Sequence, residues 1–286
     1  MLASVSLLAG FGLASCGDPG DQRPLEPTQM VFPYEWLGNI DKNNFNEPSG
    51  IVYHSGRGTL FVVGDEGDIC EITTEGVLVK EKLSGRYAHQ AQRPDYEGVT
   101  YDPSSGLLYV AVEGQERILE IDPETFETKR SFVIERSFKG KLLMKEGGQG
   151  IEAITFVADS EHPEGGIFYI ANQSFSLDDQ HDISAVLVLE LPLRSSEQDD
   201  TRGKILRWFS LGVIDLSALH YDEANDRLYV ISDATNSLWE VTRRGNVIRG
   251  YSFPGDNQEG IAVDPEGYVC IAQDSGGIIK IKWISR

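Results

Sequence analysis

Short apolar and aromatic runs recur along the chain, separated by turn-forming residues. The first pair in each copy reads SGIVY…TLFVVGD, EGVTY…LLYVAVE, EAITF…GIFYIAN, SALHY…RLYVISD and EGIAV…GYVCIAQD. A third run follows each pair: DICEI, RILEI, AVLVLEL, SLWEV and GIIKIKW. A fourth leads into the next copy as VLVKEKL, KRSFVIE, KILRWFSL and VIRGYSF. Val, Ile, Tyr, Phe and Trp dominate, as strands require. DPSSG, DEAND and DPEG, between first and second runs, carry turn chemistry. No stretch shows a helical period. Four strands per unit and a period near 50 residues predict the blades of an all-β propeller. The fifth copy lacks a fourth run, but VFPYEWLGNI (31–40) precedes the first copy and has that character. It would complete the last blade and close the ring, removing an exposed sheet edge. The expectation is a five-bladed propeller over 31–286. A sixth blade would have to come from 129–150, which supplies one clear strand.

The copies align on a small residue at the start of the first run: Gly50, Gly98, Ala153, Ala218 and Gly260. Just before it stand Ser49, Glu97, Glu152, Ser217 and Glu259, spaced 48, 55, 65 and 42 residues apart. The start of an innermost strand lies at one mouth of the axial channel. Pseudo-symmetry then sets these five oxygen-bearing side chains at one height around one axis. Three converging carboxylates repel by on the order of 2–3 kcal/mol per pair, at roughly 6 Å and an effective dielectric near 20. No Lys or Arg holds a ring position to offset this. A hard cation with oxygen ligands does, and Ca2+ accepts six to eight oxygens in loose geometry. Mg2+ demands a tighter octahedron, and zinc would want His or Cys, which the ring lacks. Solvated or protonated carboxyls are the competing arrangement. A second column ends the second runs: Asp65, Glu113, Asn172, Asp233 and Asp274. Antiparallel pairing opens it on the same face, to orient ligands, hold water or touch a bound molecule, or to serve as plain turn residues. Two positions before the ring stand Glu47, Asp95, Gly150, Asp215 and Asn257, read as loop residues on that mouth.

A net charge of −20 changes the picture by exclusion. Phosphate recognition needs a basic face, so nucleic acid is not the expected partner, nor is an anionic lipid surface. The first sixteen residues, MLASVSLLAGFGLASC, are uncharged, apolar and too short to span a bilayer. They end in Leu13-Ala14-Ser15-Cys16, which resembles a bacterial lipobox, although no Lys or Arg forms a basic start. Residues 1–15 are thus expected to be a lipoprotein signal peptide. Residues 16–30 would be a lipidated Cys16 followed by a Pro- and Gly-rich tether, leaving membrane contact to the lipid anchor and the protein in the cell envelope. Cys70 and Cys270 fall inside strands and are expected as buried thiols rather than a bridge.

The repeated EG-I/V-x-x-D phrase, the blade layout and the lipobox together resemble the SdiA-regulated (YjiK-like) family of bacterial envelope proteins, over about residues 32–286. That resemblance implies a β-propeller and leaves the biochemical role open. The Ser-Glu-Glu-Ser-Glu order also resembles the axial site of the calcium-dependent soluble apyrases, which are five-bladed propellers. It would make Ser49, Glu97, Glu152, Ser217 and Glu259 a calcium shell. It extends to no nucleotide-contacting segment.

Two functional classes follow. In one, the mouth binds a small molecule or protein and the ion staples the blades. In the other, Ca2+ assists hydrolysis of phosphate esters or nucleotides. Two loops carry cations for the second: Arg86, His89 and Arg93 in SGRYAHQAQRPDY, and Lys139, Lys141 and Lys145 in SFKGKLLMKEGG. His89 is the single candidate acid or base. No G-x-S-x-G, HExxH or P-loop occurs. QSFSLDDQHD (173–182) is an acidic loop suited to the binding reading.

Overall fold

The computed structural model describes residues 30–83, 94–179 and 181–284. Five small antiparallel sheets stand in a ring, with no helix among the described residues. In chain order the strands are β1 (Tyr34–Asn39), then β2 (Pro48–His54), β3 (Thr59–Gly64), β4 (Asp68–Thr73) and β5 (Leu78–Lys82) as blade 1. Blade 2 holds β6 (Asp95–Tyr101), β7 (Leu108–Glu113), β8 (Arg117–Ile121) and β9 (Thr128–Val133). A hairpin of β10 (Ser137–Phe138) and β11 (Lys141–Leu142) follows. Blade 3 is β12 (Ile151–Ala158), β13 (Gly166–Asn172), β14 (Val186–Glu190) and, after the short β15 (Thr201–Arg202), β16 (Lys204–Phe209). Blade 4 is β17 (Leu216–Asp222), β18 (Arg227–Ser232), β19 (Ser237–Thr242) and β20 (Val247–Ser252). Blade 5 is β21 (Gln258–Val263), β22 (Tyr268–Gln273) and β23 (Ile278–Trp283), and its outer strand is β1.

Each blade thus has the four predicted strands, and β1 closes the ring by pairing with β23, Tyr34 opposite Trp283. Residues 129–150 form no sixth blade: they supply most of β9 and the β10–β11 hairpin. One feature escaped the repeat pattern. The 195–203 insertion sends β15 back to pair parallel with β9, covering the outer edge of blade 2.

The core is a ring of five apolar clusters, one at each blade junction. Phe61, Val63, Leu108 and Val110 join blades 1 and 2; Tyr109, Phe168 and Leu187 join blades 2 and 3. At about 1.5–3 kcal/mol per fully buried large side chain, this alternation of strand faces drives the stacking. Cys70 and Cys270 share the junction of blades 5 and 1 as free, buried thiols, and burial pushes Cys270 up to about 12.

Innermost strands crowd the axis. A Cβ on Gly50 would lie 2.6 Å from the Glu97 carbonyl oxygen; on Gly98, 2.7 Å from the Ile154 amide; on Gly260, 2.8 Å from the Ser49 carbonyl. Backbone meets backbone here, which is why every copy carries Gly or Ala after the ring residue. Below that level Ile51, Val99, Ile154, Leu219 and Ile261 fill the channel and leave a cavity of only about 10 Å3. That is room for roughly one water molecule.

Candidate cation site at the channel mouth

A β-bulge interrupts the innermost strand of every blade at the same place. Pro48 pairs with Gly64 and Gly50 with Val63, so Ser49 is unopposed. Glu152 is skipped between Ile151 and Ala153, Ser217 between Leu216 and Ala218, and Glu259 between Gln258 and Gly260. In blade 2 the shift falls between Tyr96 and Val99, taking in Glu97. A bulge adds an unpaired residue and re-aims its side chain. All five ring residues are therefore bulge residues. Ser49, Glu97, Glu152 and Ser217 are at most 9% exposed, and Glu259 is partly exposed.

Burial and neighbouring negative charge disfavour the ionised form of a carboxyl, so the group holds its proton more tightly. Burial, then the carboxyls of Glu152, Asp65, Asp95 and Glu113, push Glu97 well above the usual carboxylate range. Burial, Glu113, Glu259 and Asp215 do the same to Glu152. Glu259 rises to about 8 through burial and its neighbours Asp233, Asp215, Asp274 and Asp65. Asp65 rises to about 6, mainly through burial, and Asp95 rises through burial and Glu113. These mutual effects tie ring and outer column into one electrostatic unit.

The closest grouping is not the ring alone. Carboxylate oxygens of Asp65, Asp95 and Glu97 lie within 4.8 Å of one another. Opposed ligands of one Ca2+ stand about 4.6–5.2 Å apart, at 2.3–2.6 Å each, so this spacing is in the range that a shared hard cation requires. Ser49 donates a short hydrogen bond to Asp65. Asp95, read from the sequence as a loop residue, thus joins the candidate site; only its place two residues before Glu97 hinted at this. Glu152 hydrogen-bonds Glu113 instead, and Ser217 Oγ donates to the Gln258 carbonyl at 2.5 Å.

The outer column divides. Glu113 accepts from the Gly150 amide at 2.8 Å and Asp233 from the Gln258 amide at 2.9 Å, each clamping the next blade. The Asp274 amide bonds the Asn257 carbonyl at 3.0 Å. Asn172 departs from the ligand-contacting expectation. Its amide donates to the Leu143 and Ile183 carbonyls and accepts from the Ala185 amide, all at 2.7 Å, at 2% exposure. It is a strut beneath the surface.

The cations proposed for phosphate chemistry are engaged elsewhere or outside the described residues. Lys139 and Lys141 sit over the rings of Phe138 and Trp208. Lys145 pairs with Asp179 at 3.2 Å, and Arg136 with Glu116. Arg86, His89 and Arg93 lie outside the described residues, as does Cys16. In the 173–182 loop, Asp182 accepts from the amides of Phe175 and Ser176, which makes it a loop brace. A cavity of about 450 Å3 opens beside blade 1, between the 41–46 loop, Cys70 and Leu83, away from the axis.

The SdiA-regulated family model matches residues 37–277. No curated protein matches the chain. Among solved structures, the glutaminyl cyclase of Myxococcus xanthus is similar over 90% of this chain and 98% of its own, with 13% identity and a TM-score of 0.59. The hydrazine synthase of Kuenenia stuttgartiensis matches over 80% of this chain and 56% of its own, with 14% identity and a TM-score of 0.47. At such identities the likeness concerns the fold alone.

Proposed function

This chain belongs to the SdiA-regulated family, and we propose that it acts as a calcium-binding β-propeller of the bacterial cell envelope, a binding or structural module anchored through lipidated Cys16. The observation that carries the reading is the repeated bulge: five blades each turn an oxygen-bearing residue toward one mouth. Three of those residues are carboxyls whose raised pKa values trace to burial, to one another and to neighbouring carboxyls. Asp65, Asp95 and Glu97 would hold the ion, with Ser49 behind Asp65 and with Glu152 and Glu259 lowering the potential around it. A bound Ca2+ supplies charge neutralisation, so that acids from blades 1 and 2 attract through the ion instead of repelling. The mouth is then stiff enough to present its loops to a ligand.

The test is titration of chelator-treated protein by calorimetry and thermal melting. The expected result is saturable Ca2+ binding with a rise in the melting temperature, a smaller rise with Mg2+, and no phosphate released from a panel of nucleotides and phosphate esters. Absence of both heat and melting shift with Ca2+ overturns the metal reading. Calcium-dependent phosphate release, lost with chelator, replaces the binding module with a hydrolase.

A further inference from the structure

The outer edge of blade 5 breaks the usual rule for exposed strands. Edge strands commonly carry Lys, Pro or other charges that discourage pairing and sticking. On β5, exposed Leu78 and Val79, flanked by exposed Val77 and Leu83, are followed by Lys80, Glu81 and Lys82; on β20, exposed Val247 and Ile248 precede Arg249. β1 reads YEWLGN, with Glu35 as its one charge. A bulge between Trp36 and Gly38 leaves Leu37 unopposed, and Trp36 and Leu37 are both exposed, at 53% and 45%. Met30, Val31 and Ile284, at 50%, 69% and 66%, continue the apolar surface. The Ile284 amide bonds the Pro33 carbonyl, and Met30 and Phe32 bond Ser252, so these residues flank the start of β1.

Phe32, 1% exposed among Tyr251, Phe253 and Trp283, pins the chain at this point. Met30 stands 14 positions after Cys16 (30 − 16). A chain of that length has a typical end-to-end distance of about 20 Å. A folded chain of this size is roughly 50 Å across. An acyl chain on Cys16 therefore draws this flank, and not the opposite one, to the bilayer. We infer that the Trp36–Leu37 edge of blade 5 rests in the interface of a zwitterionic lipid bilayer, orienting the propeller on the membrane. This rests on the lipid-anchor reading. Tryptophan suits the headgroup level, where its ring is apolar and its N–H is wet. The net charge of −20 makes an anionic surface repulsive, so the lipid is neutral.

The experiment uses the full chain produced in a bacterium that acylates lipoproteins. Mass spectrometry scores Cys16, and the protein is reconstituted into phosphatidylcholine vesicles with or without shallow brominated acyl chains. Trp239 and Trp283 are buried and Trp208 is half-buried, so Trp36 is the residue within reach of bromine. The expected result is loss of about a quarter of the tryptophan emission, one residue of four, with the loss absent in Trp36→Phe. Acylated protein showing no loss, or the same loss in Trp36→Phe, overturns the inference and leaves the anchor standing. Concentration-dependent dimers with unquenched Trp36 also overturn it, in favour of a second copy. Unmodified Cys16 sinks the anchor and the inference together.

Discussion

Replacing Glu259 by Gln should stabilise the calcium-free protein, and only above acid pH. The carboxyl of Glu259 is held near 8 instead of the usual 4.5 by burial and by Asp233, Asp215, Asp274 and Asp65. The folded state therefore keeps its proton longer than the unfolded chain does. With more protons bound in the native state, stability falls as pH rises from about 4.5 to about 8. Each pKa unit corresponds to about 1.4 kcal/mol, and the partial exposure of Glu259 discounts the full shift, leaving on the order of 2–4 kcal/mol lost by pH 8. Gln cannot ionise and escapes that loss. Urea unfolding in chelator should show Glu259→Gln more stable than wild type by roughly that amount at pH 8 and within about 1 kcal/mol at pH 5. With Ca2+ at 100 times its dissociation constant, wild type should regain about 2.7 kcal/mol, and the variant less. An equal difference at both pH values, or a variant destabilised in chelator at pH 8, refutes the claim that crowded carboxyls strain this mouth.

Asp95→Asn should weaken Ca2+ binding at least about tenfold, or 1.4 kcal/mol, by calorimetry, since it removes one of the three converging carboxylates. Asn172→Ala should behave oppositely: it strands the Leu143 and Ile183 carbonyls and the Ala185 amide, costing about 3–5 kcal/mol in urea unfolding while leaving calcium affinity unchanged. Gly98→Ala should cost about 1–3 kcal/mol, because its Cβ would stand 2.7 Å from the Ile154 amide and must push two innermost strands apart. Calcium binding at pH 7 should release protons, measured as a dependence of calorimetric heat on buffer ionisation, because Glu97, Glu152 and Glu259 all hold theirs unusually tightly.

The blades were readable because a propeller repeats one local solution. Alternating apolar positions place residues such as Val62 and Val63 on opposite faces of β3, each against a different neighbouring blade. The Gly or Ala after each ring residue reports the axial crowding directly. β15 was not readable: a two-residue strand pairing parallel with β9, 69 residues away (201 − 132), leaves no period behind. The site was legible in register but not in membership. Pseudo-symmetry gives five equivalent positions, yet side chains of different length do not use them equally. Ser217 reaches the next blade's backbone, whereas Glu97 reaches Asp95 and, with Asp65, forms a cluster of three carboxylates within 4.8 Å of one another. Asn172 occupied an outer-column position by alignment. Only the path of the 173–185 loop over it shows why an amide, able to donate twice and accept once, stands where four other blades keep an acid.

That asymmetry bears on what the mouth can do. Beneath it Ile51, Val99, Ile154, Leu219 and Ile261 line a cavity of only about 10 Å3, room for roughly one water molecule. A partner would approach from outside, past Glu47, Asp65, Asp95, Glu113, Asp215, Asp233 and Asp274, whose carboxyls all act on this mouth. Arg136 and Lys145, in the segment between blades 2 and 3, are already paired with Glu116 and Asp179. One divalent ion supplies two positive charges against this set. Among the described residues, the rest is left to retained protons, to backbone amides or to positive groups that a partner brings. An anionic phosphate ester meets repulsion on such a surface unless the ion is reached first. A neutral or cationic ligand gains from every acid the ion leaves uncompensated. The described acids of the mouth therefore favour the approach of positive charge over that of negative charge, and the proposed calcium would set how much of that negative potential stays available.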